Sequence, residues 1–230
     1  DVNQGWVGSC YLVAAMGAIA EKDPTFIQDC FTDNGNGTYG VRFFIDGQAV
    51  YTTVDQTLAK WKKSLTAFSG NEDRSLNGEQ WVALMEKAYA QLNAQFNLLT
   101  ESSENSYQAI EGGIANPISL ISGLDYTYYS TLGNIPDPYS LGTNIGYTWN
   151  PSQYKQTIIN KISDGAIGWL GSFGRTTGSD GDVELVGGHA FMITGYNSSS
   201  GKFEIRNPWG PWRETVEPVN AKFYLTFEEI

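Results

Sequence analysis

A cysteine, two glycines and a glutamine lie within seven residues near the start of the sequence, in the segment Gln4–Cys10. An apolar stretch with helical spacing follows directly, so Cys10 falls in the first turn of a helix predicted over 10–21. The unpaired N–H groups and partial positive charge at a helix start stabilise a thiolate, which is the nucleophilic form of cysteine. The glycines allow a sharp bend and close approach of a substrate to the backbone. The segment therefore predicts a nucleophilic thiol, with the side-chain amide of Gln4 near the sulfur.

A second group of residues supplies what a nucleophilic thiol needs, a base and a group that orients the base. The sequence has one histidine, His189, and a predicted strand hairpin over 190–206 leads from it to Asn207. Such a hairpin places both side chains near the same end of the strand pair, where the amide oxygen of Asn207 can accept the second imidazole proton. Trp209 would cover this hydrogen bond from water. Each residue alone has an ordinary structural explanation, but together they predict Cys–His–Asn catalysis.

The composition narrows the classes of protein to which the chain can belong. It has 230 residues, with 14 basic and 25 acidic side chains and a formal net charge of -11. Phosphate binding favours the opposite sign, so we expect no nucleic-acid partner. Solubility, secretion and cation binding all remain open as reasons for the acidity, and the compartment stays unassigned. No apolar run approaches the roughly 20 residues that cross a bilayer, so we expect no membrane span.

The count of cysteines and histidines excludes one kind of metal site. Cys10, Cys30 and His189 together are fewer than the four ligands of a tetrahedral zinc site made from cysteine and histidine. A disulfide between the two cysteines would consume the thiol at the helix start. We therefore expect both thiols to be free.

Helical patterns dominate the first part of the sequence, and strand patterns dominate the last part. The predicted helices cover 10–21, 25–31, 79–97 and 151–165, and a short one follows Ser106. The predicted strands are a pair around the turn Asp46-Gly47 and then 166–173, 190–196, 202–206 and 222–227. Early helices and late antiparallel strands predict an α+β protein. Many prolines, glycines and asparagines over 116–150 place a boundary between two lobes near residue 140.

Five stretches of the sequence resemble the calpain family of papain-like cysteine proteases. Gln4–Cys10, Gly188–Ala190 and Arg206–Gly210 resemble the three catalytic blocks of the family, in the same order. Trp81–Ala90 resembles its core helix, and Phe223–Glu229 resembles its closing strand. The resemblance implies a papain-like α+β fold. In it, residues 1–140 form a mainly helical first lobe, residues 141–230 form an antiparallel β second lobe, and the active site lies in the cleft between them.

The resemblance also implies a role for each matched residue. Cys10 is expected to be the nucleophile, His189 the general base and acid, and Asn207 the residue that orients His189. The side chain of Gln4 and the backbone N–H of Cys10 are expected to donate hydrogen bonds to the oxyanion. The residues expected to line or shield the cleft are Gly8, Ser9, Gly188 and Trp209. The implied activity is that of an endopeptidase, which cleaves protein or peptide substrates through a thioester acyl-enzyme and carries flanking regulatory segments in a longer polypeptide.

Two departures from the family pattern bear on regulation. Ser9 stands where the family usually has an acidic residue, which the nucleophile does not need. The loop after Gly210 is short and lacks most of the second calcium site of animal calpains. Asp1 and Glu79 match positions of the first calcium site, so calcium is a candidate activator. The Cys–His–Asn chemistry itself is expected to need no cofactor. The alternative is that Asp1 and Glu79 are ordinary surface carboxylates.

Two other functions remain open for the same set of residues. The chain could be a calpain-fold binding or regulatory module without turnover, with Cys10 and His189 held apart. It could also use the Cys–His–Asn chemistry to transfer an acyl group to an amine instead of to water.

Overall fold

The computed structural model describes residues 2–58, 60–61, 65–66, 80–99, 104–113, 116–129, 151–174, 176–177, 183–210 and 220–230. The helices there are α1 (Cys10–Lys22), α2 (Pro24–Gln28), α3 (Trp81–Phe96), α4 (Pro117–Ser122) and α5 (Pro151–Ser163), with a 3-10 helix at Gln108–Ile110. The strands are β1 (Phe31–Asp33), β2 (Thr38–Ile45), β3 (Gln48–Asp55), β4 (Lys60–Trp61), β5 (Leu65–Thr66), β6 (Gly168–Ser172), β7 (Thr176–Thr177), β8 (Val183–Leu185), β9 (His189–Asn197), β10 (Lys202–Arg206) and β11 (Lys222–Thr226).

Local residue chemistry explains where several elements begin and turn. Asp23 caps α2, because its carboxylate accepts a hydrogen bond from the N–H of Thr25 at 3.0 Å. Pro24 suits the first turn of that helix, where its missing N–H costs nothing. The turn between β2 and β3 is Asp46-Gly47, and both residues have positive φ, 49° and 73°. This is the backbone conformation of the two-residue hairpin turn that matches the twist of the flanking strands.

Two antiparallel sheets organise the strands. One has the order β1-β2-β3, and the other has the order β11-β10-β9-β6. In the second sheet His189 pairs with Ser172 of β6, and Asn197 at the other end of β9 pairs with Lys202 of β10. The start of β9 and the end of β10 therefore lie side by side at the same end of these two central strands, next to Asn207.

The buried apolar side chains form two clusters. The first unites α1, α3, α4 and β2, and it also takes in Ala190 and Met192 of β9. The second lies between α5 and the four-stranded sheet, with Ile159 and Ile162 of the helix packed with strand residues such as Phe203. Helix α1 thus belongs to one cluster while it packs on a strand that contributes to both.

The structure confirms the predicted α+β class, and most predicted elements lie within a few residues of the observed ones. The helix predicted over 25–31 is shorter, because Phe31 pairs with Val41 at the start of β1. Helix α4 was not predicted, although Asn116-Pro117 is a typical helix start, and the Asn116 side chain accepts from the N–H of Ser119 at 3.2 Å. Both cysteines are free, as predicted.

Two further predictions concern the boundary between the lobes and the absence of a membrane-spanning helix. The boundary predicted near residue 140 lies outside the described residues, so the division into lobes 1–140 and 141–230 stays a prediction. Within the described ranges, every helix is too short or too polar to cross a membrane.

Candidate active site

The cysteine singled out by the sequence is the first residue of α1, and the helix buries almost its whole length behind it. Residues from Tyr11 to Ile19 are all buried, and exposed side chains return only at Glu21 and Lys22, at the far end of the helix. The side chain of Cys10 is half-buried. It therefore sits where a buried helix meets the surface, as a nucleophile at a helix start requires.

Two opposing effects act on the thiol of Cys10. Burial, the larger effect, raises its pKa above the usual value of 9.0. Hydrogen bonds from the backbone amides of Ala190, Tyr11 and Cys10 itself act against burial and lower the pKa. The amides at the helix start thus act in the predicted direction, but they do not outweigh burial. Deprotonation of this thiol near neutral pH needs a base.

The residues predicted to be the base and its orienting group, His189 and Asn207, meet at one end of the four-stranded sheet. Nε2 of His189 lies 2.8 Å from Oδ1 of Asn207, and both side chains are buried. The same Oδ1 accepts a hydrogen bond from the backbone N–H of Trp209 at 3.0 Å, which identifies this atom as the amide oxygen. Because an oxygen can only accept, Nε2 of His189 carries the proton in this pair. Nδ1 is then the acceptor nitrogen of the ring.

Aromatic rings enclose the imidazole of His189. The ring centroid of Trp209 lies 4.3 Å from that of His189, with 36° between the planes. Phe191, two residues along β9, meets the imidazole edge-on at 4.8 Å. Only 6% of His189 is exposed. These contacts keep water from the His189–Asn207 hydrogen bond, which strengthens it.

Helix α1 packs against strand β9, and the thiol of Cys10 lies next to the start of that strand. The amide of Ala190, the residue after His189, hydrogen-bonds the thiol of Cys10. The indole N–H of Trp169 on β6 donates to the carbonyl of Tyr11 at 3.0 Å. Contacts between the helix start and the sheet therefore join the two halves of the predicted site.

The segment ahead of Cys10 is fastened to the chain that follows Asn207. The backbone N–H of Gln4 donates to the carbonyl of Pro208 at 2.6 Å. Gly210 has φ of +68°, and a side chain there would overlap the amide oxygen of Asn3. Glycine is thus required at 210 both by its backbone conformation and by the close approach of Asn3.

The side chain of Gln4 is buried and points towards its own loop. Its Nε2 donates to the carbonyl of Val7 at 2.7 Å, which uses one of its two N–H groups. Its Oε1 has no hydrogen-bond partner among the described residues. The expected role of Gln4 as an oxyanion donor stays a prediction that rests on the second N–H.

Three of the residues predicted to line the cleft have distinct surroundings. Gly8 accepts a hydrogen bond from the N–H of Gly112 at 2.9 Å. Gly188 is exposed and has φ of +67°, which suits the sharp entry into β9. Ser9 is fully buried, and its hydroxyl donates to the carboxylate of Glu86 on α3.

Two groups that the sequence did not single out lie against the residues on either side of Cys10. The Gly112-Gly113 pair borders the Gly8 loop, and a side chain at Gly113 would come within 2.5 Å of the Tyr11 hydroxyl oxygen. The adjacent glycines are visible in the sequence, but no local pattern indicates that Gly113 packs against a side chain of α1. Glu86 lies four residues after Val82 and three before Tyr89, on the face of α3 that carries buried side chains, and this spacing could have indicated its burial.

The candidate calcium residues lie outside the described residues, for both Asp1 and Glu79. Within the part of the chain that the structure describes, no group of three or more His, Cys, Asp or Glu side chains is arranged to hold a metal ion. The calcium site therefore stays a prediction.

Comparison with known proteins places these observations in a wider setting. The model of the calpain family cysteine proteases matches residues 1–217. The chain is 28% identical over 233 residues to calpain-type cysteine protease DEK1 of Zea mays, covering 94% of this chain and 9% of that protein. It is 28% identical over 262 residues to calpain clp-1 of Caenorhabditis elegans, covering 99% of this chain and 29% of the relative. It is 28% identical over 227 residues to the calpain-2 catalytic subunit of Homo sapiens, covering 91% of this chain and 28% of that protein. The chain thus spans less than a third of the length of each of these relatives.

Proposed function

Because this chain belongs to the calpain family of cysteine proteases and has its papain-like core fold, we propose that it is a cysteine endopeptidase. Cys10 is the nucleophile, His189 the base and acid, and Asn207 the orienting residue. The observation that carries the proposal is the buried 2.8 Å contact between His189 and Asn207, set beside the thiol of Cys10. Protein or peptide chains are the proposed substrates.

The first half of the proposed reaction forms an acyl-enzyme. Nδ1 of His189 takes the proton from the Cys10 sulfur, and the thiolate attacks the peptide carbonyl carbon. The carbonyl oxygen becomes negative and accepts hydrogen bonds from the backbone N–H of Cys10 and the side chain of Gln4. Each such donor stabilises the transition state by roughly 3 kcal/mol. The C–N bond then breaks as the imidazolium gives its proton to the leaving amine, which leaves a thioester.

The second half returns the enzyme to its starting state. His189 removes a proton from a water molecule, and the resulting hydroxide attacks the thioester carbonyl. The C–S bond breaks, the carboxylic acid leaves, and the imidazolium returns its proton to the sulfur. Asn207 holds the Nε2 proton throughout, so the same nitrogen, Nδ1, handles every transferred proton.

The proposal is tested by replacing the nucleophile and measuring both turnover and thiol reactivity. Cys10→Ala should abolish the cleavage of casein, whereas Cys30→Ala, which changes a buried thiol away from the sheet edge, should retain it. Iodoacetamide should alkylate Cys10 faster than Cys30, and His189→Ala should slow this alkylation at neutral pH because burial keeps the pKa of the thiol high. Undiminished cleavage by Cys10→Ala would contradict the assignment.

The same measurements separate the two alternative functions. A binding or regulatory module would show no turnover by the unaltered protein and no effect of His189→Ala on alkylation. An acyltransferase would give an amide product when a peptide and an amine are incubated together, which the mass of the product reveals. Hydrolysis gives the free carboxylic acid instead.

Calcium is the proposed activator rather than a participant in the chemistry. Carboxylate oxygens such as those of Asp1 and Glu79 are suitable Ca²⁺ ligands, with backbone carbonyls to complete six to eight oxygens. Titration calorimetry with calcium chloride should show heat of binding that Asp1→Asn with Glu79→Gln removes. Absence of heat with the unaltered protein would contradict the site. Since the relatives are longer, we also propose that flanking segments regulate this core.

A further inference from the structure

A carboxylate that the proposed chemistry does not use is buried next to the nucleophile. Glu86 lies on α3 and is 0% exposed. It accepts a hydrogen bond from the hydroxyl of Ser9, the residue before Cys10. Burying a carboxylate is costly unless it is well bonded, so a residue of this kind at this place needs an explanation.

The carboxylate of Glu86 also acts on the tyrosines around the helix start. Burial, and after it the charge of Glu86, raises the pKa of Tyr107. The same charge makes a smaller contribution to the raised pKa of Tyr11, where burial dominates. The charge of Glu86 thus acts on side chains near the first turn of α1.

Ser9 occupies the capping position of α1 without acting as an ordinary cap. A capping serine has an extended backbone, and its hydroxyl oxygen accepts from an N–H in the first turn. Ser9 instead has φ of -99° and ψ of 26°, and its side chain makes no capping hydrogen bond. Its carbonyl accepts from the N–H groups of Leu12 and Val13, both at 3.0 Å. Glu86 therefore holds the hydroxyl that would otherwise turn to the helix.

The backbone angle of Ser9 has a direct consequence for the nucleophile. The ψ of Ser9 and the φ of Cys10 orient the peptide plane between them, and the N–H of that plane belongs to Cys10. This N–H is one of the two proposed oxyanion donors. A return of Ser9 to the extended capping conformation would rotate the plane and turn this N–H to a different direction.

We propose that Glu86 is a positioning residue that holds Ser9 out of the capping conformation and so directs the N–H of Cys10 towards the oxyanion. This inference rests on the proposed function, because it assigns Glu86 a part in the same reaction. Loss of the hydrogen bond between Ser9 and Glu86 should weaken the binding of an oxyanion more than it changes the reactivity of the Cys10 thiol.

Two reagents distinguish these effects in the purified protein. A peptide aldehyde adds to the Cys10 sulfur, its carbonyl oxygen takes up the thiol proton, and the resulting hemithioacetal places that oxygen at the oxyanion site. Iodoacetamide alkylates the thiolate and expels iodide, without an oxyanion. Ser9→Ala and Glu86→Leu should each weaken aldehyde binding by roughly 10- to 100-fold, below the 100- to 1000-fold loss for a donor removed outright. The alkylation rate should change by less than about 3-fold, and kcat should fall more than KM rises.

Matched variants keep the test independent of folding. Glu86→Gln retains an acceptor oxygen for Ser9 and should recover most of the affinity lost in Glu86→Leu. Asn93→Leu removes another fully buried polar side chain of α3, one that holds the N–H of Leu99 at 2.9 Å. It should lower the melting temperature without changing the ratio of aldehyde affinity to alkylation rate. If Glu86→Leu does not fold, Ser9→Ala carries the test alone, since Ser9 makes no capping bond that the change would remove.

Two results would overturn the inference. One is an unchanged aldehyde affinity in folded Ser9→Ala, and the other is a parallel loss of aldehyde affinity and alkylation rate, which indicates general distortion around Cys10. Neither result affects the assignment of the nucleophile. That assignment fails only if Cys10→Ala continues to cleave casein.

Discussion

The amide oxygen of Asn207 serves two donors at once, the imidazole Nε2 of His189 and the backbone N–H of Trp209. The second donor fixes the orientation of the amide, and the amide in turn fixes the tautomer of the imidazole. The backbone N–H of Asn207 donates to the carbonyl of Ala221 at 2.8 Å. Asn207 is therefore held both by β10, which it follows, and by the residue that precedes β11. The side chain of Asn207 therefore connects the sheet to the tautomer of the proposed base, His189.

Removal of this oxygen should reduce activity with little effect on the thiol itself. We expect Asn207→Ala to lower kcat/KM by about 100-fold, the scale of loss when a reacting group is misplaced by about 1 Å. Asn207→Asp, whose carboxylate still accepts from both donors, should retain more activity. Its negative charge favours the imidazolium, so the acidic limb of the kcat/KM profile should move to higher pH.

A control for this prediction lies at the other end of the same hairpin. Asn197 is exposed, and its side-chain oxygen accepts only from turn N–H groups, at 2.9 Å from that of Ser199 and 3.1 Å from that of Ser200. Asn197→Ala should leave the pH profile unchanged. Wild-type activity in Asn207→Ala would show that the imidazole does not depend on this amide.

At the scale of single residues, the sequence predicted types and proximity but not directions. The pairing of His189 with Asn207 follows from the length of the hairpin, and the structure brings the two side chains together. The N–H of Trp209 as a second donor, and the turn of the Ser9 hydroxyl to Glu86, depend on backbone angles and on a helix 77 positions away in the sequence. No local pattern encodes such a contact.

Helix α1 and strand β9 approach each other closely at Gly17 and Met192. Gly17 of the helix faces Met192 of the strand, and a Cβ built on Gly17 would overlap the sulfur of Met192. Met192 is 1% exposed, so its side chain would have to shift within the core to make room for that Cβ. Close packing of this kind sets the distance between the helix that carries Cys10 and the strand that carries His189.

Gly17→Ala should destabilise the protein although alanine is the better helix former. Alanine gains up to about 1 kcal/mol in helix propensity, whereas overpacking a filled core costs roughly 1–3 kcal/mol. In a Met192→Ala background the space is available, and there Gly17→Ala should be neutral or stabilising. Urea unfolding of the two single variants and the double variant measures this coupling. Additive effects would show that the two residues do not limit each other.

At the scale of elements, apolar periodicity and turn residues predicted most of the observed helices and strands. The helices α1 and α3 and the strand β10 lie where apolar spacing placed them, and Asp46-Gly47 forms the predicted turn. The prediction was less good where tertiary contacts decide. Phe31 joins a sheet edge instead of extending α2, and α4 is a short helix whose start signal, Asn116-Pro117, was interpreted as part of a boundary between lobes.

For the whole molecule, the buried ionisable groups predict how stability depends on pH. Burial raises the pKa of the phenols Tyr11, Tyr89 and Tyr107 and of the thiols Cys10 and Cys30. Folding therefore favours their protonated forms. The stability from each group is complete below its ordinary pKa, 9.0 for a thiol and 10.0 for a phenol, and is lost as pH rises above it.

We expect the free energy of unfolding to decrease steadily between about pH 9 and about pH 11. Tyr89 is 0% exposed, and burial is the main cause of its raised pKa. Tyr89→Phe removes that ionisation and should make the decrease with pH shallower. Urea denaturation of both proteins across this range gives the slopes. Identical slopes would mean that Tyr89 contributes no linkage.

The whole-molecule predictions depended on composition and on matched blocks rather than on geometry. The α+β class followed from the order of helical and strand patterns, and the family followed from five stretches spread over the chain. What the sequence does not encode locally is how the parts meet, because those contacts join residues from opposite ends. The bond from Gln4 to Pro208 and the fit of Asn3 against Gly210 are of this kind.

The contact between the first residues and Gly210 also sets an order of events during translation. A ribosome synthesises the Cys10 segment long before Asn207, Pro208 and Gly210, which lie much later in the sequence. Until these have left the exit tunnel, the loop ahead of Cys10 lacks its anchor and His189 lacks its partner. A growing chain therefore carries Cys10 through this interval without the contacts that complete the proposed active site, and we expect the proposed activity only after Gly210 has been made.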